Sequence, residues 1–210
     1  VWASRAGRIR QLKRTVERML VIFPFEEPIY RRAGVPVSWV GHPLIDIIAA
    51  PPERTPPDGR LRLGLLPGSR PSEVQRHLPV FLGAASRILR DAPRAGTTVF
   101  AAKSIPDELY ARWLGPWRGP DGKPALLVRE SDYALRSLQD LLLTSSGTAT
   151  LENALLGLPM VVVYKLSWPT YWIARALIRV PHIAMANLLA GRALVPELIQ
   201  RDATPERIAD

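Results

Sequence analysis

The chain has 210 residues and a formal net charge of +9, carried almost wholly by arginine, since Lys13, Lys103, Lys123 and Lys165 are its only lysines. Hydrophobic residues make up 47% and mean hydropathy is +0.02, the balance of a folded globular chain with material for one core and part of another. The absence of cysteine excludes disulfides and thiolate metal sites, and no run of about 18 uncharged apolar residues reads as a membrane span.

The first residues, Val1-Trp2-Ala3-Ser4-Arg5, lack an initiator Met and an apolar leader, so the chain reads as a piece of a longer one. Helix-period patterning follows at Arg8–Arg18, with Arg8, Arg10, Lys13, Arg14 and Arg18 forming a basic face. Strand-like runs are expected at Leu20–Phe23 and Val37–Val40, with a helix at Phe25–Arg32 between them. Two strands are too few for an ordinary independent domain, so residues 1–48 read as the tail of one. Residues 49–60 hold four prolines and no periodic apolar residues, the signature of a semi-stiff linker.

From 61 to 210 the pattern changes. Short apolar runs at Leu61–Leu66, Thr97–Ala101, Ala125–Val128, Asp140–Thr144 and Met160–Tyr164 predict strands. Helices are predicted between and after them, at Ser72–Arg90, Pro106–Trp113, Tyr133–Leu138, Thr148–Leu156 and Pro169–Ile178. Continuous apolar strands alternating with helices indicate an α/β fold, a doubly wound parallel sheet with ligands at the carboxyl ends of its strands.

Two strand ends carry chemistry. Ser145-Ser146-Gly147-Thr148 follows an apolar strand and opens a helix, whose unbonded amides and dipole favour a phosphate. Glu152, about one helical turn on, reads either as a surface glutamate stabilised by the helix dipole or, given the room left by the small residues before it, as an acceptor for the paired hydroxyls of a sugar. Phosphate and ribose together suggest a nucleotide. The other strand end is Pro67-Gly68-Ser69-Arg70, where a guanidinium can hold a phosphate bidentately; no Gly-Lys-Ser/Thr follows, so this is not a Walker A loop. Alone it reads as a plain turn with a solvated arginine; beside the Gly147 turn in one sheet it reads as half of a binding site.

Three further features have two readings each. Asn187, with Arg192 beyond Gly191, suits either a nucleotide contact or an ordinary helix end capped by glycine. Trp168, Tyr171 and Trp172 with Arg175 and Arg179 suit either a bilayer interface and acyl chain or a core helix. The basic N-terminal helix suits a solvated face or an anionic partner, but the aromatic platforms of RNA-binding modules are missing, so no nucleic acid is expected. His42 reads as structural, and no His/Asp/Glu grouping has metal-ligand spacing.

Taken together, Val1-Trp2-Ala3, Phe23-Pro24-Phe25-Glu26, Gly41-His42-Pro43-Leu44, Leu66-Pro67-Gly68-Ser69-Arg70 with Glu73, Ser146-Gly147-Thr148-Ala149-Thr150-Leu151-Glu152, Asn187-Leu188-Leu189-Ala190-Gly191-Arg192 and Pro196-Glu197-Leu198 resemble the lipid-A-disaccharide synthase family, nearly end to end and in order. That resemblance implies a GT-B glycosyltransferase with two Rossmann-like domains, here the donor domain at 61–210 and the end of the acceptor domain at 1–48. It implies inverting, metal-independent transfer, with no cofactor, from UDP-2,3-diacylglucosamine to 2,3-diacylglucosamine 1-phosphate, giving the β-1,6 disaccharide of lipid A and UDP. It further implies a Gram-negative source, a cytoplasmic protein peripherally held at the inner membrane, and it allows a homodimer. By the same resemblance Gly68, Ser69 and Arg70 meet the diphosphate, with Arg70 stabilising the leaving group. Ser146, Gly147, Thr148 and Glu152 hold phosphate and ribose, Asn187 and Arg192 complete the UDP pocket, and the general base lies in the missing part of the acceptor domain. Other UDP-sugar GT-B enzymes, the lipid-linked N-acetylglucosaminyltransferase of peptidoglycan and UDP-N-acetylglucosamine 2-epimerase, share such glycine turns and a ribose-binding glutamate; a non-catalytic RNA- or membrane-binding module is the reading from another class.

Overall fold

The computed structural model describes residues 7–48, 60–92, 94–129, 133–177 and 181–210. The expected linker, but for Arg60, and the opening Val1-Trp2-Ala3 motif therefore lie outside the described residues, as does Arg179.

The first segment runs α1 (Arg8–Thr15), β1 (Met19–Val21), α2 (Glu26–Arg32), β2 (Val37–Trp39) and α3 (Leu44–Ile47). β1 and β2 pair in parallel, and Ile9, Val21, Tyr30 and Val35 form a small core between strands and helices. His42 has the structural role expected of it: its Nδ1 accepts the Leu44 amide at 3.1 Å, satisfying an open donor at the start of α3. Leu44 and Ile48 then pack on one face of the larger sheet, against the cluster that includes Leu66, Phe100 and Leu142.

The second segment holds β3 (Arg62–Leu66), α4 (Pro71–Ile88), β4 (Gly96–Phe100), α5 (Asp107–Leu114), β5 (Leu126–Val128) and α6 (Ala134–Ser137). It continues through β6 (Leu141–Ser145), α7 (Thr148–Leu155), β7 (Met160–Tyr164), α8 (Trp168–Leu177), α9 (Met185–Ala190), β8 (Glu197–Ile199) and α10 (Pro205–Ala209). Six strands form one all-parallel sheet in the order β5-β4-β3-β6-β7-β8. The chain winds outward from β3 to one edge, returns to the middle at β6, and winds to the other edge, which is the doubly wound Rossmann order. The α/β parallel-sheet expectation is met, with β8 as an additional edge strand.

Burial on both faces explains why the inner strands read as unbroken apolar runs. Leu63, Leu65, Leu143 and Val163 meet Val74, Leu78, Phe81, Leu82 and Ala85, one face of α4 at helical spacing. Leu78 and Phe81 are fully buried, and each contributes on the order of 2 kcal/mol by that burial. On the opposite face Leu66, Phe100, Leu142 and Val162 pack against Leu156 and Leu158. Gly64 lets these layers close: a Cβ there would stand 2.4 Å from Leu142 Cδ2.

Candidate functional site

β3 and β6 are neighbours at the point where the winding reverses, with Leu66 level with Thr144. The crossovers after them leave in opposite directions, and the crevice this opens at the carboxyl ends is where open α/β sheets bind ligands. Each strand runs into a glycine turn and a helix: Pro67–Arg70 into α4, and Ser146–Gly147 into α7.

The first turn is built around Glu73. Its Oε2 accepts the Ser69 amide at 3.1 Å, and its Oε1 accepts from Arg70 Nη1 at 2.7 Å. Gly68 sits at φ +126°, a conformation L side chains avoid. A Cβ at Gly68 would stand 2.6 Å from Glu73 Oε2 and 2.7 Å from Glu73 Cβ, so the glycine is required by space as well as by backbone angle. The Arg70 side chain is 73% exposed, and its ion pair with Glu73 holds the guanidinium beside the turn.

The second turn leaves its helix uncapped: the cap residue is Gly147, and among the described residues no side chain bonds the Thr148 and Ala149 amides, which are left to solvent or a ligand. A Cβ built on Gly147 meets nothing within 4 Å, which leaves open space above the turn. Thr150 braces it from below, donating to the Gly147 carbonyl at 2.8 Å while accepting the Met185 amide at 3.0 Å.

Both turns face one cavity of about 450 Å³. Its lining brings together Gly68, Ser69 and Arg70 with Ser146, Gly147, Thr148 and Glu152, seven of the residues expected from sequence. Sequence reasoning missed Arg136, which lines the same cavity and pairs with Glu152 Oε2 at 2.7 Å. Arg136 is held over the rings of Phe100 and Tyr133, at 5.6 and 5.1 Å, so its guanidinium is fixed by stacking as well as by charge. Glu152 Oε1 has no hydrogen bond among the described residues and remains available as an acceptor. Ser146 is spent otherwise, donating its hydroxyl to the Ile183 carbonyl at 2.8 Å.

Asn187 and Arg192, expected to complete the nucleotide pocket, are not among the residues that line this cavity. Asn187 is fully buried and its amide is committed internally. Nδ2 donates to the Val195 carbonyl at 2.9 Å and to Glu197 Oε1 at 2.7 Å, while Oδ1 accepts the Leu194 and Val195 amides at 2.8 and 3.0 Å. Glu197 in turn accepts the Ile183 and Ala184 amides, so the pair holds the segment that carries the Ser146 and Thr150 partners. Asn187 thus supports the Gly147 turn from behind. Arg192 is exposed in the loop after α9, whose helix ends at Gly191 with φ +65°.

A slightly larger hollow, about 490 Å³, lies at the amino ends of β3 and β4, lined by Arg60, Arg62, Arg94, Trp117 and Lys123 among others. Size does not decide between the two, because among the described residues no helix start lines this hollow and the carboxyl ends are where such sheets bind ligands. Among the described residues no group of three or more His, Asp or Glu is arranged to hold a metal ion, and no helix is long and apolar enough to cross a membrane. The aromatic helix is not a core helix over its described length: Trp168 and Trp172 are 48% and 57% exposed, Ile173 62%, and Arg175 bonds the Tyr171 hydroxyl at 3.2 Å.

Residues 1–210 match the family model described as lipid-A-disaccharide synthetase. The lipid-A-disaccharide synthase of Nitrosococcus oceani is 42% identical over 216 residues, covering all of this chain and 55% of that protein. That of Anaeromyxobacter dehalogenans is 44% identical over 223 residues, with the same two coverages. The chain spans about 55% of the length of the curated relatives it matches. Among solved structures, the UDP co-structure of S. aureus MnaA aligns at 12% identity and a TM-score of 0.37 over 86% of this chain and 45% of that one, a likeness too slight to bear on the site. By the family match and these identities, the chain belongs to the lipid-A-disaccharide synthetase family.

Proposed function

We propose that this chain supplies the UDP-binding part of a lipid-A-disaccharide synthase. In this reading 2,3-diacylglucosamine passes with inversion from its UDP donor to 2,3-diacylglucosamine 1-phosphate, forming the β-1,6 disaccharide and releasing UDP. Residues 61–210 act as the donor domain, 49–60 as the linker and 1–48 as the end of the acceptor domain. The observation that carries the reading is the convergence of the Gly68–Arg70 turn, the uncapped start of α7 and Glu152 on one cavity at the sheet's switch point.

The chemistry follows from that convergence. As the glycosidic bond to phosphate breaks, negative charge gathers on the departing diphosphate. The α7 amides and dipole, with Arg70 and Arg136 beside them, stabilise that charge with groups oriented in advance, without calling on a metal ion. Glu152 Oε1 accepts from the ribose hydroxyls while Oε2 stays paired with Arg136. Asn187 and Arg192 act outside the pocket. The exposed Trp168, Trp172 and Ile173 support a peripheral seat on the inner membrane's cytoplasmic face, close to the acylated substrates.

Thermal unfolding with and without UDP tests the reading. At a UDP concentration about 100-fold above Kd, ligand linkage is worth about 2.7 kcal/mol. For a chain of this size that raises Tm by roughly 5–10 °C. Arg70→Ala removes an exposed side chain and should abolish most of the UDP-dependent rise while leaving the unliganded Tm in place. An unchanged Tm in millimolar UDP overturns the assignment.

A further inference from the structure

His77 is fully buried on α4, yet it touches the reacting end of the sheet through two bonds. Nδ1 lies 2.8 Å from the Pro67 carbonyl, one residue before Gly68, and Nε2 lies 2.9 Å from the Lys165 amide, one residue past β7. The Pro67 carbonyl needs a donor and the Lys165 amide needs an acceptor. One form of imidazole serves both: neutral, with its proton on Nδ1. The ring is fixed between Phe81, stacked at 5.9 Å, and Tyr164 at 6.1 Å.

We propose that His77 is a positioning residue for the diphosphate turn, a neutral strut that sets where Gly68, Ser69 and Arg70 stand by donating to the Pro67 carbonyl, while the Lys165 amide at the end of β7 seats the ring that donates. This rests on the reading of the cavity as a UDP site. A second proton would set an Nε2–H against the Lys165 N–H and unseat the ring. Burial opposes that proton and lowers the imidazole pKa. The charged and titratable residues near the ring are Glu73 and Arg76 from α4, Lys165, and Tyr164, whose ring packs on it; the Pro67 bond and Glu73 favour the proton, while Arg76 and Lys165 oppose it.

Two substitutions separate positioning from packing. His77→Asn offers an amide N–H near the Nδ1 position and retains the bond to Pro67; His77→Gln reaches the Nε2 position and retains the bond to Lys165. Both lose ring packing, so a role in stability alone penalises them alike. Positioning predicts that His77→Asn binds UDP within about threefold of the unaltered chain while His77→Gln binds at least tenfold more weakly. Equal UDP affinities in the two variants overturn the proposal.

Amide hydrogen exchange at Ser69, whose N–H is held by Glu73, measured without nucleotide, should accelerate at least tenfold in His77→Gln and not in His77→Asn. That readout stands even when UDP fails to bind the unaltered chain, an outcome that would remove the functional reading and leave the strut. Nitrogen NMR of the imidazole in the unaltered chain at neutral pH should show the Nδ1–H neutral form. The Nε2–H form or an imidazolium there overturns the strut, whether or not the variants fold.

Discussion

Asn187 separates a nucleotide contact from a structural latch, and Asn187→Ala measures which it is. The truncation strips acceptors from two backbone amides, Leu194 and Val195, and a donor from the Val195 carbonyl. At about 1 kcal/mol per neutral hydrogen bond these three sum to about 3 kcal/mol. The bond to Glu197 Oε1 is charge-assisted and adds about 2 kcal/mol, although that oxygen retains the Ala184 amide. Water reaches the loop beside Leu194, which is 50% exposed, and returns part of the loss. The net expectation is a destabilisation of about 3 kcal/mol, seen in urea unfolding or as a Tm lower by roughly 6–12 °C. UDP affinity, titrated calorimetrically at a temperature where the variant is folded, should fall less than tenfold, or about 1.4 kcal/mol. A variant that loses under 1 kcal/mol of stability and more than tenfold in affinity would refute the latch and return Asn187 to the pocket.

Other substitutions probe the remaining inferences. Gly68→Ala combines an unfavourable φ with a collision at Glu73 and should cost about 3 kcal/mol, whereas Gly191→Ala, at φ +65° with open space around it, should cost about 1 kcal/mol; urea midpoints compare them. The lowered pKa of His77 means that the unfolded chain takes up its proton first. Its contribution to stability is therefore complete above about pH 6.5 and is lost as pH falls below that toward the depressed folded value. Unfolding free energies between pH 7.5 and 5.5 should fall more steeply for the unaltered chain than for His77→Asn. Replacing Trp168 and Trp172 together by Ser should weaken sedimentation with anionic phospholipid vesicles at least tenfold, and unchanged binding would dismiss α8 as the membrane face.

The inner strands were readable because burial on both faces leaves no polar alternation to confuse them: Asp140–Thr144 was expected where Leu141–Ser145 is found, and Met160–Tyr164 agrees at both ends. β8 escaped notice because Glu197–Ile199 is a three-residue edge strand that carries a carboxylate and follows a proline, too short for periodicity to register. The glycine turns and Glu152 were visible because strand, turn and helix start are contiguous in sequence. Arg136 was not, since its pairing with Glu152 joins a four-residue helix to another element across the fold, and spacing along the chain encodes no such contact. Asn187 shows a third limit. A carboxamide that binds a base and one that ties a loop are the same residue in the same motif, and only the direction of its bonds distinguishes them.

The cavity's charged residues are two arginines and two glutamates, Arg70, Arg136, Glu73 and Glu152, so their formal charges cancel even though the whole chain carries +9. A site so balanced exerts little long-range pull on polyanions. Discrimination then falls to short-range fit, to how well a ligand's oxygens meet amides and guanidinium groups already in place. The chain's net positive charge therefore lies outside the pocket, where it does not help one anion over another to fit.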